Sequence, residues 1–125
     1  MKRQPRINSG RADRLYVQLL AWLTARTRYR SKQCSQRDAA EALGISTYTL
    51  SAAVSQSTGR HYTDIVNTLR LRDACAMLSD PKFAEMTAED IGLTVGFASR
   101  QAFYVAFSRH HHVTPQQYRE LQSEA

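Results

Sequence analysis

The sequence predicts an all-α protein of about seven helices, and three observations carry that prediction. Apolar residues recur every three or four positions along most of the chain, which is the spacing of an amphipathic helix. No segment shows the apolar–polar alternation that is typical of a half-buried strand. Serine, threonine and glycine stand between the periodic segments, where helix ends need them. The 125 residues suffice for one domain or two very small ones.

Charge and composition narrow the class of protein. The net charge is +6, yet residues 1–37 hold ten basic residues against Asp13 alone, a distribution typical of proteins that bind a polyanion. No apolar run approaches the roughly 20 residues that span a bilayer, and no signal peptide is visible. Two cysteines, Cys34 and Cys75, indicate a reducing compartment. We therefore expect a cytoplasmic protein without a membrane segment.

The N-terminal part is predicted to be an arm followed by one helix. Over residues 1–10 we expect a flexible basic arm, with a solvated tail that binds nothing as the alternative. Residues 11–29 then form an amphipathic helix, because Leu15, Leu19 and Leu23 follow one another at intervals of four. Residues 29–33 read as a polar connection to the next helix.

A first helix-turn-helix unit is predicted over residues 35–58. Ser35 and Asp38 have the spacing of a capping box at the start of a helix. Gly44 ends that helix, because a left-handed residue is least costly as glycine. Ser46 then caps the second helix of the unit.

The remainder is predicted to contain a long helix and a second unit of the same kind. A linker helix covers residues 63–79, where apolar residues again recur at helical spacing. The second helix-turn-helix unit covers residues 87–111, with Thr87 and Ser99 as the caps of its two helices. A short helix over residues 116–122 completes the chain, and residues 11–125 are expected to form one domain.

The two predicted units are an internal repeat. Residues 39–50 and 89–103 share the order helix, glycine, apolar residue, small polar cap, helix. Gly44 and Gly96 hold the same place in the two stretches, 52 positions apart. Two such units joined by one long helix form a far more specific pattern than either unit alone, because single helical hairpins are common in enzymes too.

With these features, the region from Leu15 to Leu121 resembles the DNA-binding domain of AraC/XylS-type bacterial transcription regulators. The residues that carry the resemblance are 39–50, 67–74, Ile91, Val95-Gly96-Phe97, Ser99, Phe103, Phe107, Thr114-Pro115 and Tyr118-Arg119. The resemblance implies a nucleoid-associated, sequence-specific regulator that places two recognition helices in successive major grooves of double-stranded DNA. RNA polymerase is a further candidate partner. The sensing or dimerisation domain of such regulators is expected to be absent or to lie on a longer parent chain.

The resemblance also implies which residues meet DNA. Base contacts fall on Thr47, Tyr48, Thr49, Ser51 and Ala52 in the first recognition helix and on Arg100, Gln101, Ala102, Tyr104 and Val105 in the second. Phosphate contacts fall on Ser46, Ser99, Arg109 and Arg119.

The chemistry of these side chains sets what each position can read. Arg100 can pair bidentately with guanine and Gln101 with adenine. Ala52, Ala102 and Val105 can offer only apolar contact, for which a thymine methyl group is the natural partner.

Three features depart from the family pattern. His112 stands where glycine is usual, so a histidine must adopt the left-handed conformation at some cost. Gly92 stands where alanine is usual, which weakens its helix but allows close helix packing. Residues 47–57 hold no Lys or Arg, so either the second recognition helix carries most specificity or the basic arm supplies the missing affinity.

Other classes of function have less support in the sequence. His110, His111 and His112 cannot converge on one metal ion, because consecutive helical residues point about 100° apart. No nucleophile-and-base constellation or phosphate loop is visible, so we expect no enzymatic activity, no metal and no cofactor. The remaining alternative is a protein-interaction module of the same fold that contacts RNA polymerase or another regulator and binds DNA weakly. An exposed apolar face on either recognition helix would favour it.

Overall fold

The computed structural model describes residues 6–123, and these residues form seven α-helices and no strand. The helices are α1 Ser9–Thr24, α2 Gln36–Leu43, α3 Thr47–Thr58, α4 Tyr62–Ser79, α5 Ala88–Thr94, α6 Arg100–His111 and α7 Pro115–Ser123, with short 3-10 segments at Ala25–Arg30 and Pro81–Phe83. The all-α prediction is confirmed. None of the helices among the described residues is long and apolar enough to cross a membrane. The chain divides within α4 into a first unit, Met1–Val66, and a second unit, Asn67–Ala125.

The first helix begins earlier than expected. The side chain of Asn8 caps α1 by accepting from Gly10 N at 2.8 Å and from Arg11 N at 3.2 Å. Just before this cap, Ile7 N donates to Gln56 Oε1 at 3.2 Å, which ties the segment to α3. The described part of the expected arm is therefore a capped helix start held against α3, while residues 1–5 of that arm lie outside the described residues.

The first helix also ends five residues sooner than predicted. Thr24 Oγ1 donates to the carbonyl of Leu20 at 2.7 Å. The right-handed helix stops there, because Arg26 and Thr27, within the 3-10 segment that follows, have left-handed φ of 54° and 51°. Left-handed backbone is unfavourable for a β-branched residue, so the break is a property of the fold rather than of local preference. Tyr29, expected in a polar connection, is instead buried.

The core of the first unit lies between α1 and α3. The buried residues include Leu15, Leu19 and Leu23 of α1, Leu50, Ala53 and Val54 of α3, and Ala39 and Ala40 of α2. The Tyr62 hydroxyl donates to Cys34 O at 2.6 Å and so links the start of α4 to the segment before α2.

The core of the second unit is built around three aromatic rings, of which Phe97 lies in the turn between α5 and α6 and Phe103 and Phe107 lie on α6. Phe97 and Phe103 have ring centroids 5.3 Å apart, and Phe103 and Phe107 follow at 5.6 Å. All three are buried, as expected, and they pack with Ile91 and Val95 of the α5 segment. This packing fixes one face of α6 inward and leaves the opposite face outward.

Candidate nucleic-acid interface

Both helix-turn-helix units close their turns with the same backbone hydrogen bond. In the first unit Ile45 N donates to Ala40 O at 3.0 Å, and in the second Phe97 N donates to Gly92 O at 3.1 Å. Each bond spans five residues, the pattern that ends a helix before a left-handed residue. The glycine before each donor has a positive φ, 71° in the first turn and 117° in the second. The internal repeat is therefore present in the backbone as well as in the sequence.

The helix predicted to be the first recognition helix is α3, and its first turn is exposed to solvent. Ser46 Oγ accepts from Thr49 N at 3.0 Å and so caps the helix as predicted. Thr47 and Tyr48 are exposed, with Tyr48 at 45%, while Thr49 and Ser51 are half-buried. The four side chains thus form a mostly hydroxyl-bearing surface at the start of α3.

Ala52 does not belong to that surface. It was expected to face solvent, but its side chain is only 2% exposed. The helical period of this segment predicts a buried stripe of Leu50, Ala53 and Val54. In the structure α3 packs against both α1 and α2 and buries a wider arc, which includes Ala52. The expectation that Ala52 faces solvent is therefore wrong, and we leave Ala52 out of the proposed base contacts.

The helix predicted to be the second recognition helix is α6, and all of its expected base-contact residues are exposed. Ser99 Oγ caps the helix by accepting from Ala102 N at 3.0 Å. The exposed side chains are Arg100, Gln101, Ala102, Tyr104 and Val105, with Tyr104 at 50% and Val105 at 56% exposed. The face therefore combines two long polar side chains with an apolar centre.

Arg100 has a partner that the sequence did not reveal. Its Nη2 lies 3.5 Å from Asp90 Oδ1, and the two side chains are 66% and 51% exposed. Thr87 and Asp90 have the sequence spacing of a capping box, but only half of the box is present: Asp90 N donates to Thr87 Oγ1 at 3.0 Å, and the Asp90 carboxylate lies near Arg100. Such an exposed ion pair is weak and screened by salt, so it can exchange for a DNA contact. No spacing signal links residues on different helices, which is why the pair was missed.

The expected phosphate contacts fall into two groups. Ser46 and Ser99 sit at helix N-termini, where backbone N–H groups favour anions, and Arg109 is exposed near the end of α6. Arg119 is occupied elsewhere, since its Nη1 donates to Met86 O at 2.7 Å and its Nη2 to Phe83 O at 3.2 Å. We assign Arg119 to holding α7 against the segment before α5 and leave it out of the interface.

A separate polar cluster, formed by Cys75 and the histidines at the C-terminal end of α6, lies away from the first turns of that helix. Cys75 Sγ and His111 Nε2 are 3.3 Å apart, and the His111 ring contacts that of Phe107 in a tilted arrangement, with centroids 4.5 Å apart. Burial lowers the pKa of His111, and His110 and His112 add to the effect, while burial raises the pKa of the Cys75 thiol. Both groups are therefore neutral near pH 7. Among the described residues, no three His, Cys, Asp or Glu side chains lie close enough to share a metal ion.

Two capped helix-turn-helix units, each with an exposed first turn on its second helix, form the arrangement that helix-turn-helix DNA-binding proteins use. Residues 39–121, more than half of the chain, match a family described as a helix-turn-helix domain. The chain belongs to the AraC-type helix-turn-helix family of DNA-binding transcription regulators. No curated protein matches the sequence significantly.

Solved structures share this fold at low sequence identity. An AraC-type transcriptional regulator from Chromobacterium violaceum has a TM-score of 0.72 and 22% identity, over 93% of this chain and 97% of that one. The C-terminal domain of the response regulator yesN from Fusobacterium nucleatum has a TM-score of 0.73 and 23% identity, over 85% and 98%. The C-terminal domain of AraT, a response regulator from Geobacillus stearothermophilus, has 0.68 and 23%, over 96% and 88%.

Proposed function

We propose that this chain is a sequence-specific transcriptional regulator that places α3 and α6 in successive major grooves of one DNA duplex. The observation that carries the proposal is the outward face of α6, which is exposed over its first two turns and has a capped N-terminus. The matching backbone turn of the first unit supports a second, equivalent helix in α3. Successive major grooves lie about 34 Å apart along one face of the duplex.

The two helices contribute differently to recognition. On α6, Arg100 offers a fork for guanine O6 and N7, and Gln101 offers a donor and an acceptor for adenine. On α3, the side chains of Thr47, Thr49 and Ser51 offer single hydrogen bonds, which discriminate bases less well than bidentate pairs. We therefore assign most of the specificity to α6.

Affinity that α3 does not supply must come from phosphate contacts. No Lys or Arg lies between Thr47 and Thr58, so α3 brings no positive side chain to the duplex. The N-termini at Ser46 and Ser99, the exposed Arg109 and the basic residues of the N-terminal segment fill this role. Binding should then fall steeply as salt rises.

A second function has one observation in its favour. Tyr48, Tyr104 and Val105 are large and exposed, as a protein-interaction surface on the recognition helices would require. In that case α6 would dock on RNA polymerase or another regulator, and DNA binding would be weak. Arg100 and Arg109, which flank the apolar centre of α6, favour DNA as the partner.

Selection from a randomised duplex library at moderate salt tests the proposal. We expect two enriched blocks about 10 base pairs apart. The double variant Arg100→Ala/Gln101→Ala, changed only at exposed positions, should lose one block and keep the other. A single block with the wild-type protein would reduce α3 to an anchor. No enrichment, together with salt-sensitive binding to any duplex, would favour the interaction module.

A further inference from the structure

Val105 occupies the outermost position of α6. It lies two residues from Phe103 and two from Phe107, which is about 200° around a helix from each of them. Those two rings are 1% and 0% exposed and define the inward side of α6, whereas Val105 is 56% exposed. The position of α6 directly opposite its buried aromatic face is therefore occupied by a valine.

The neighbours of Val105 extend this apolar surface. Ala102 lies one turn earlier on the same face and is exposed. Tyr104 lies about 100° around the helix from Val105 and is 50% exposed, so it borders this surface. Gln101 and Arg109 lie four residues before and after Val105, so polar groups stand at both ends of the surface. The centre of α6 can make no hydrogen bond to a base edge through its side chains, except through the Tyr104 hydroxyl.

One feature of the major groove matches a valine at that place. A pyrimidine C5-methyl group is the apolar group that base pairs present there, and apolar side chains read it by contact. We infer that α6 reads a pyrimidine C5-methyl group through Val105, with Ala102 and Tyr104 at its margins. The inference rests on the proposed function, since it assumes that α6 enters the groove. Thymine and 5-methylcytosine both carry this group.

Changes of a single methyl group in the DNA test the inference directly. In the site selected from the library, each thymine is replaced in turn by deoxyuridine, which removes one methyl group and leaves the hydrogen-bonding edge unchanged. The block read by α6 is the one that Gln101→Ala disturbs. We expect at least one replacement in that block to weaken binding about fourfold, the value for one buried methyl group.

Protein variants assign the effect to Val105. Val105→Ala should bind the thymine and deoxyuridine duplexes almost equally, whereas His110→Gln, at an exposed position of α6 outside the proposed contacts, should keep the preference for thymine. Both residues are exposed, so neither change is expected to unfold the protein. A comparison of cytosine with 5-methylcytosine at the sensitive position distinguishes the two bases that carry the methyl group. Tighter binding to 5-methylcytosine would show that α6 reads the methyl group of either base. Equal binding would show that it reads thymine alone.

Three outcomes would overturn the inference. Specific binding without any methyl-sensitive thymine in the α6 block would refute it and leave the proposed function intact. The same sensitivity in Val105→Ala as in the wild-type protein would assign the methyl group to another surface. A library that yields no enriched site would remove the proposed function itself, and the inference with it.

Discussion

Gly92 of α5 and Phe103 of α6 approach so closely that no side chain fits between them. A Cβ atom on Gly92 would lie 2.7 Å from Phe103 Cβ and closer still to the ring. Phe103 cannot move aside easily, because it is 1% exposed and its ring packs against those of Phe97 and Phe107. This contact sets how α6 rests on α5, and hence which face of α6 points outward.

Gly92→Ala is therefore expected to destabilise the second unit. The added methyl group costs about 1–3 kcal/mol by overpacking, while the gain in helix propensity returns at most about 1 kcal/mol. Urea unfolding followed by far-ultraviolet circular dichroism measures the net change. Ala76→Gly, at an exposed position of α4, serves as the control for propensity alone. A stabilised Gly92→Ala protein would show that the close approach is not a constraint.

His112→Gly is expected to stabilise the protein. His112 ends α6 with φ of 62°, a left-handed conformation that glycine adopts without steric cost. Glycine removes the strain of the left-handed backbone but also has more freedom in the unfolded chain. The net gain in the free energy of unfolding should be about 0.5–1 kcal/mol. His110→Gly, inside α6, should have the opposite effect on the urea midpoint. A loss of stability in His112→Gly would mean that the imidazole makes a contact worth more than the strain.

Stability should decline in mild acid because of His111. Burial lowers the pKa of its imidazole in the folded state, so the unfolded chain takes up a proton first as the pH falls below about 6.5. The stability that neutral His111 contributes is thus present above that pH and decreases below it. Urea midpoints at about pH 7.5 and pH 5.5 measure the effect.

His111→Phe is the matched variant for that measurement. A phenyl ring keeps the packing on Phe107 and Tyr118 but cannot take up a proton. The loss of stability between the two pH values should be smaller in His111→Phe than in the wild-type protein. An unchanged loss would assign the pH dependence to other groups. His61→Gln, an exposed change in the first unit, controls for the removal of a histidine as such.

Asp90 is expected to restrain Arg100 in the free protein. Asp90→Asn removes the carboxylate 3.5 Å from Arg100 Nη2, so DNA binding should tighten at low salt and the gain should shrink as salt rises.

Arg100→Ala should cost about 1–3 kcal/mol of binding free energy and relax the preference at one base position. Fluorescence anisotropy with selected and scrambled duplexes measures both. An equal loss on both duplexes would make Arg100 a phosphate contact.

The basic N-terminal segment is expected to supply affinity without specificity. Replacing Lys2, Arg3 and Arg6 by glutamine removes charge but keeps Ile7 and Asn8, which hold the start of α1. The slope of log K against log salt should flatten by about 0.9 for each phosphate group that the variant no longer neutralises, equally on selected and scrambled DNA. An unchanged slope would show that these residues do not meet the duplex.

Local sequence signals predicted the helix ends where one side chain or one glycine decides them. The caps at Ser35, Ser46, Thr87 and Ser99 are all present, because each needs only a hydroxyl three residues before a backbone N–H. The predicted end of α1 was wrong, because the helix stops before Thr27, which adopts a left-handed conformation that a threonine disfavours.

Helical periodicity predicted whether a side chain is buried or exposed only where the helix's own faces decide it. The outward face of α6 followed from the opposite, aromatic face, so Val105 and Gln101 were found correctly as exposed residues. The surroundings of Ala52 and Arg119 were not predicted, because they are formed by other segments. Ala52 is buried because α3 buries a wide arc. Arg119 donates to carbonyl groups that are more than 30 positions away in sequence. Contacts between distant segments leave no periodic trace in a single sequence.

Hydroxyl-radical footprinting on the selected site tests the central claim most directly, because it maps the covered sugars along each strand. Two recognition helices in successive major grooves predict two protected patches on one face of the duplex, about 10 base pairs apart. The double variant Arg100→Ala/Gln101→Ala should weaken one patch more than the other. A single protected patch, with the neighbouring groove open to cleavage, would contradict two-groove docking.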